Sequence, residues 1–169
     1  MIVLGIDPGT AVTGYGVVRA RGARQAGGAE LIECGVIRTR ASEPLAARLA
    51  DIYEGVRELL ARHQPEALAV EDVFYARNVR TTVVLGHARG VVLLAGQQAG
   101  IRIYEYPPAD IKKTVTGTGA ATKEQVQFMV MKLLRLKNAP EPADAADGVA
   151  AALACVLRAD VTRLIEAAR

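Results

Sequence analysis

Four acidic residues stand where their type and spacing suit joint chemistry. Asp7 follows the apolar run Met1-Ile2-Val3-Leu4 inside Gly5-Ile6-Asp7-Pro8-Gly9-Thr10, which puts it at the C-terminal end of a buried strand, just before a Pro-Gly turn. Glu71 ends Ala67-Leu68-Ala69-Val70 in the same way and is followed by Asp72. Asp144 and Asp147 lie three apart in Ala143-Asp144-Ala145-Ala146-Asp147-Gly148, hence on one face at the start of a helix. Each has an ordinary explanation: a turn-maker, a solvated strand end, or acids complementing a helix dipole, worth ~0.3–1 kcal/mol. Yet two strand ends share one sheet edge, and the helix around the paired aspartates is otherwise Ala, Gly and Val. Carboxylates gathered in a packed site repel one another and take up protons unless a positive charge joins them. Oxygen-only ligands select hard cations, Mg²⁺ or Mn²⁺. Two such ions suit in-line displacement at a phosphodiester, one activating water and the other stabilising the leaving oxygen. No His-rich cluster competes as a metal site, and no Ser or Cys has an evident triad partner.

A second set of residues suits a polyanion. Val73-Phe74-Tyr75-Ala76-Arg77-Asn78 follows the acidic strand end directly. Phe74 and Tyr75 can stack on bases, while Arg77 and Asn78 hold phosphate; Phe74 as plain core is the competing reading. Arg80, just beyond, and the adjacent Lys112 and Lys113 join these as candidate DNA contacts. Lys132, Arg135 and Lys137 read instead as a solvated helix face. Charge is consistent with this division. The net charge is +3 from 21 basic and 18 acidic residues, and setting the four acids aside leaves 21 against 14. A basic surface around a local acidic pocket fits a polyanionic substrate meeting a cation-binding centre.

The elements that must position these groups follow from periodicity. Gly14–Arg19 and Glu30–Thr39 read as strands joined to the first by short connections, an antiparallel meander. Ser42-Glu43-Pro44 opens a helix with a Ser cap and Pro in its first turn. Leu45, Leu49, Ile52, Val56, Leu59 and Leu60 give it one apolar face, and Gln64-Pro65 ends it. Strand, helix, strand places Ala67–Val70 parallel to an earlier strand, at the edge where open α/β sheets build their sites. Thr81–Gln98 is a long helix whose apolar content exceeds what one face needs, so it is either fully buried or a subunit interface. Ile101–Tyr106 alternates as a fifth strand. A short helix bearing Lys112 and Lys113 follows, and Thr122–Gln125 forms a capping box for the next helix. Gly148 sits where a larger apolar residue is usual, which predicts a loosened helix around Asp147.

The whole chain, 1–169, is expected to be one domain, with 159–169 as a helical tail. Its 51% apolar content supplies a sizeable core. No run is long and apolar enough to span a bilayer, and no signal peptide is evident. Cys34 and Cys155, both in apolar segments, fit a reducing cytoplasm.

With Thr13-Gly14-Tyr15-Gly16 and Leu85-Gly86-His87-Ala88-Arg89-Gly90 added to the acidic motifs, the chain resembles the RuvC family of Holliday-junction resolvases from Met1 to about Arg158. The resemblance implies an α/β, ribonuclease H-like fold, a five-stranded mixed sheet flanked by helices. It implies a homodimer that nicks two opposing strands of a four-way DNA junction, leaving 5′-phosphate and 3′-hydroxyl ends, and that works with the RuvA–RuvB branch-migration complex. By position, Asp7, Glu71, Asp144 and Asp147 would bind two Mg²⁺ or Mn²⁺ ions. Lys112 and Lys123 would stand near the scissile phosphate, Phe74 would stack on an opened base, and the Thr81–Gln98 helix would carry much of the dimer contact. In some members the position of Asp144 is a histidine. Three rivals remain on the sequence alone. An actin-like or sugar-kinase ATPase shares the Asp-x-Gly-Thr turn but needs a second lobe; the others are a junction-binding protein without catalysis and a related nuclease acting on another nucleic acid.

Overall fold

A computed structural model describes residues 1–21, 28–72 and 79–167, with side chains described as far as Ala159. Among these are five strands, β1 (Ile2–Asp7), β2 (Val12–Ala20), β3 (Ala29–Arg38), β4 (Ala67–Glu71) and β5 (Arg102–Tyr106), in one sheet ordered β3-β2-β1-β4-β5. The helices are α1 (Leu45–His63), α2 (Val79–Gln98), α3 (Pro108–Thr116), α4 (Lys123–Leu133) and α5 (Ala143–Ala167). β1, β2 and β3 pair antiparallel through short connections, whereas β4 lies parallel between β1 and β5. The five-stranded mixed sheet flanked by helices is the architecture that the resemblance implied, and it is built from the strands that periodicity marked.

Strand alternation divides the core into two layers. Leu4, Ile6, Leu68 and Val70 face Ile52, Val56, Leu59 and Leu60 of α1 and Ala88, Val92 and Ala95 of α2. Val3, Ala67 and Ala69 face the opposite way, onto Ala150–Val156 of α5 together with Ile111 and Val115 of α3 and Val126 and Val130 of α4. The same alternation carries Asp7, by way of Gly5, and Glu71, just past Ala69 and Val70, to the α5 side of the sheet.

Helix ends largely follow their signals. Thr122 caps α4, accepting from the Gln125 N–H while the Gln125 side chain accepts from the Thr122 N–H, so the capping box is complete. α1 departs from the expected start: Ser42 and Glu43 lie in a turn, Pro44 is the N-cap, and no side chain caps the first turn. Pro44 at φ −56° and ψ 149° is extended, so the helical hydrogen-bond pattern begins only at Leu45. The backbone of the expected tail continues α5 to Ala167.

Gly148 does not loosen α5. A Cβ there would lie 2.6 Å from the Tyr15 Cα, so the missing side chain lets the helix press against β2. Gly14 serves the same contact from the other side, since its Cβ would run into the carbonyl oxygen of Asp144. Gly14 is the register partner of Asp7. The first turn of α5 is therefore laid over the strand pair that ends in Asp7.

Candidate active site

Asp7, Glu71 and Asp147 line one cleft of about 280 Å³ with Lys112, Lys123, Pro108, Ile111, Val126 and Ala150. Its floor is the C-terminal edge of two adjacent parallel strands. The register pairs Ile6 with Val70, one step before the two acids. The turn after Asp7 is stapled by Thr13, which is fully buried; its hydroxyl donates to the Gly9 carbonyl at 2.7 Å and accepts from the Gly9 N–H at 3.3 Å. Such a rigid strand end holds a carboxylate in place better than a free loop does.

The walls come from helices. Asp147 sits in the first turns of α5, half-buried, and accepts a hydrogen bond from Lys123 Nζ at 2.8 Å. The capping box fixes the α4 start that presents Lys123. Lys112 reaches the cleft from α3, whose C-terminus is closed by Gly117 at φ 88°. Arg158 clamps α3 to α5 on either side of Lys112, donating to Asp110 Oδ2 at 2.9 Å and Thr114 Oγ1 at 3.1 Å. The same guanidinium lies 4.8 Å from the Tyr106 ring centroid.

Electrostatics show a site short of positive charge. Burial, then the Asp147 carboxylate, pushes Asp7 up to about 6; Asp144 adds to this, and Lys123 opposes it. Burial pushes Glu71 up to about 8, with Asp7 and Asp147 adding and Lys123 and Lys112 opposing. The hydrogen bond to Asp147 and its charge raise Lys123 in turn. Two lysines thus neutralise the cleft only in part. The donors are all oxygens, and their mutual repulsion is what a hard divalent cation relieves, so the residues fit Mg²⁺ or Mn²⁺. Among the described residues no three His, Cys, Asp or Glu side chains already converge on one ion position. The three carboxyls share the cleft while Lys123 holds Asp147.

Of the residues anticipated from sequence, the cleft gathers Asp7, Glu71, Asp147, Lys112 and Lys123. Asp144, one turn before Asp147, does not line it, although its charge is felt at Asp7. Lys113 is exposed on α3 and Arg80 is exposed at the start of α2. Phe74, Tyr75, Arg77 and Asn78 lie outside the described residues. Sequence reasoning did not single out Pro108, Ile111, Val126 or Ala150 as cleft residues; their apolar spacing marks them only as core. A larger hollow of about 560 Å³ between α1 and α2, lined by Tyr53, Arg57, Gln64 and Gln98 among others, holds no comparable group of acids.

Comparison with known proteins points in one direction. Residues 3–155 match the family model described as crossover junction endodeoxyribonuclease RuvC. A protein of that name from Moorella thermoacetica is 49% identical over 153 residues, covering 90% of this chain and 89% of its own length. The Thermus thermophilus RuvC structure is 40% identical with a TM-score of 0.88, covering 96% of this chain and 97% of that one. The structure described as T. thermophilus RuvC in complex with Holliday junction substrate is equally similar, at 40% identity and TM-score 0.88, covering 96% of each chain.

Proposed function

The chain belongs to the RuvC family of crossover junction endodeoxyribonucleases, with its ribonuclease H-like fold, and is a Holliday-junction resolvase; we propose that it acts as a homodimer, nicking two opposing strands symmetrically with Mg²⁺ or Mn²⁺ as cofactor. The observation that carries the catalytic reading is the shared cleft, where three carboxyls from β1, β4 and α5 meet two lysines from α3 and α4. Asp7, Glu71 and Asp147 would hold the ions, two per site, with Asp144 contributing from the rim. When bound, such ions supply a polarised phosphoryl oxygen and an activated water.

The protein's own groups have distinct tasks. Asp7 and Glu71 are fixed by the sheet and would hold the cations in a set place against the reacting strand's phosphate. Lys112 faces the same space and offsets negative charge growing on that phosphate. Lys123, through Asp147, ties the α4 and α5 starts together across the cleft. Products carry 5′-phosphate and 3′-hydroxyl ends. Phe74, with Tyr75, Arg77, Asn78, Arg80 and Lys113, supplies junction contacts, and the RuvA–RuvB complex is the working partner. Dimerisation is supported by the outward face of α2, where Val79, Val83 and Leu94 are 77%, 54% and 49% exposed. The nuclease unit spans 1–169. The proposed place of work is the cytoplasm, on DNA; separately, no helix among the described residues is long and apolar enough to cross a membrane.

The test is incubation with a synthetic four-way junction and Mg²⁺ or Mn²⁺, with cut sites mapped on all four strands. Symmetric cuts near the crossover are expected from the wild type. Asp7→Asn and Glu71→Gln should abolish cutting and keep junction binding, because affinity comes mainly from basic groups on phosphates. A variant that still cut normally would make the acids dispensable and favour a different site.

A further inference from the structure

The motif Leu85-Gly86-His87-Ala88-Arg89-Gly90 has no part in the cleft, yet it delivers a cation to the catalytic edge. Arg89 projects from the middle of α2, beside the buried Ala88 and Val92. Its Nη2 pairs with Asp72 Oδ1 at 3.2 Å and with Glu105 Oε2. These two acids bracket one register pair: Glu71 lies opposite Tyr106, Asp72 is one residue beyond Glu71, and Glu105 is one residue before Tyr106. The Asp72 N–H also donates to the Tyr106 carbonyl at 2.8 Å.

That bracket sits where the sheet stops supporting Glu71. β4 pairs with β1 only as far as Val70, whereas its pairing with β5 continues to Glu71. Glu71 is thus held by the ladder on one side only, and the chain just beyond it is anchored by the Asp72 N–H on the Tyr106 carbonyl and, through its side chain, by the Asp72–Arg89 ion pair. Stability alone does not account for this guanidinium. Its Nε is buried without a hydrogen-bond partner among the described residues. An unpaired buried donor destabilises, and an apolar residue on this helix face would avoid it.

We infer that Arg89 is a positioning residue for Glu71: it fixes the exits of β4 and β5 together, so that the Glu71 carboxyl keeps its place in the cleft. Because Arg89 stands on α2, it also links that helix mechanically to the catalytic edge. The inference rests on the catalytic reading of Glu71 given above.

The experiment measures single-turnover cleavage of a synthetic four-way junction at saturating Mg²⁺, beside junction Kd measured without divalent ions. Wild type, Glu71→Gln, Arg89→Met, Arg89→Lys, Asp72→Asn and the Arg89→Met/Asp72→Asn double variant are compared. Arg89→Met and Asp72→Asn should each slow cleavage about 10- to 100-fold with Kd unchanged. Arg89→Lys, which keeps the charge, should recover much of the rate. The double variant should be no slower than Arg89→Met, since both substitutions break one contact. Full-rate cleavage by Arg89→Met or Asp72→Asn, additive losses, or losses that track Kd would overturn the inference. Asp72→Asn changes a half-exposed, isosteric side chain, so it tests the contact even if Arg89→Met does not fold. A wild type that fails to cut, or a Glu71→Gln that cuts, removes the catalytic reading and this inference with it. Wild-type cutting, an inert Glu71→Gln and a full-rate Arg89→Met overturn the Arg89 role alone.

Discussion

Lys112 and Lys123 share a cleft but hold different positions in it. Lys123 is engaged with Asp147 at 2.8 Å, whereas Lys112 faces Glu71 from α3 and counters the buried carboxyl's tendency to take up a proton. Lys112→Ala should therefore lower the cleavage rate about 100-fold, as removal of one charge-stabilising donor commonly does. Junction affinity should fall far less. Rate and Kd measured on the same junction separate the cases, and a loss confined to Kd would make Lys112 an anchoring residue. The carboxyls make a thermodynamic prediction as well. A cation that binds the folded cleft raises stability by mass action, so Mg²⁺ at about 100 times its Kd should raise the Tm by about 5–10 °C. Asp7→Asn and Glu71→Gln should lose most of that rise, and a full rise in both would place the ion elsewhere. Legibility differed sharply among these residues. Asp7 and Glu71 were readable because an acid directly after a short apolar run is a local signal, one that places it at the C-terminal end of a core strand. The Lys123–Asp147 pair joins two helices across 24 residues of sequence, and nothing local marks it. Asp144 was grouped with Asp147 by helical spacing, but a turn of helix is long enough to leave one acid in the cleft and the other at its rim.

At the scale of elements, the approach of α5 to the sheet sets where Asp147 stands. A side chain at Gly148 would strike the Tyr15 backbone, and the helix has no room to yield because Ala145, Ala146, Val149 and Ala150 are buried around it. Gly148→Val should cost about 1–3 kcal/mol, as overpacking does. It should also slow cleavage at temperatures where the fold is intact, because Asp147 moves away from Asp7. Thermal melts with rate measurements well below the Tm test this, and an unchanged rate would mean that α5 placement is not critical. The preference for bulk at a helix position is only local, whereas the demand for close approach at Gly148 is made by β2, so the glycine reads as a weakness from sequence and is a packing requirement in the fold. On the other side of the sheet, Glu33 joins three elements. It accepts from Tyr15 at 2.9 Å and from Arg62 at 3.0 Å, and its Oε2 lies 2.8 Å from His63 Nε2. Burial raises the Glu33 carboxyl, but the hydrogen bonds from Tyr15, His63 and Arg62 outweigh it and hold the group below its usual 4.5. A depressed carboxyl stabilises the fold above its ordinary value and loses that contribution as pH falls through the lowered one. Glu33→Gln should therefore lower the Tm by about 2–4 °C near neutral pH, for a loss of about 1 kcal/mol. The gap should close in acid, and a pH-independent gap would assign the effect to packing.

For the whole molecule, α2 poses the question that sequence left open between burial and interface. The structure shows one face buried and the opposite face apolar but exposed. Ala88, Val92, Ala95 and Gly96 are buried toward the sheet, while Val79, Val83 and Leu94 are exposed. Gly86 and Gly90 fall on the same outward face by helical spacing, with nothing within 4 Å of where a Cβ would be. Periodicity was unable to separate these faces, because apolar residues on both cancel the asymmetry from which a buried side is read. Two chains meeting along this face would bury the exposed valines and bring their backbones close at the glycines. They would also set the two clefts at a fixed separation, which is what paired nicks across a junction require. Val83→Asp places a charge at the centre of that face without touching the core. It should convert the protein from dimer to monomer in sedimentation or light scattering, leaving the Tm of the chain itself within a few degrees, as surface changes usually do. Junction cutting should then lose its pairing, with single nicks accumulating in place of resolved duplexes on a circular junction substrate. A Val83→Asp protein that remained dimeric and still produced paired nicks would move the interface off α2.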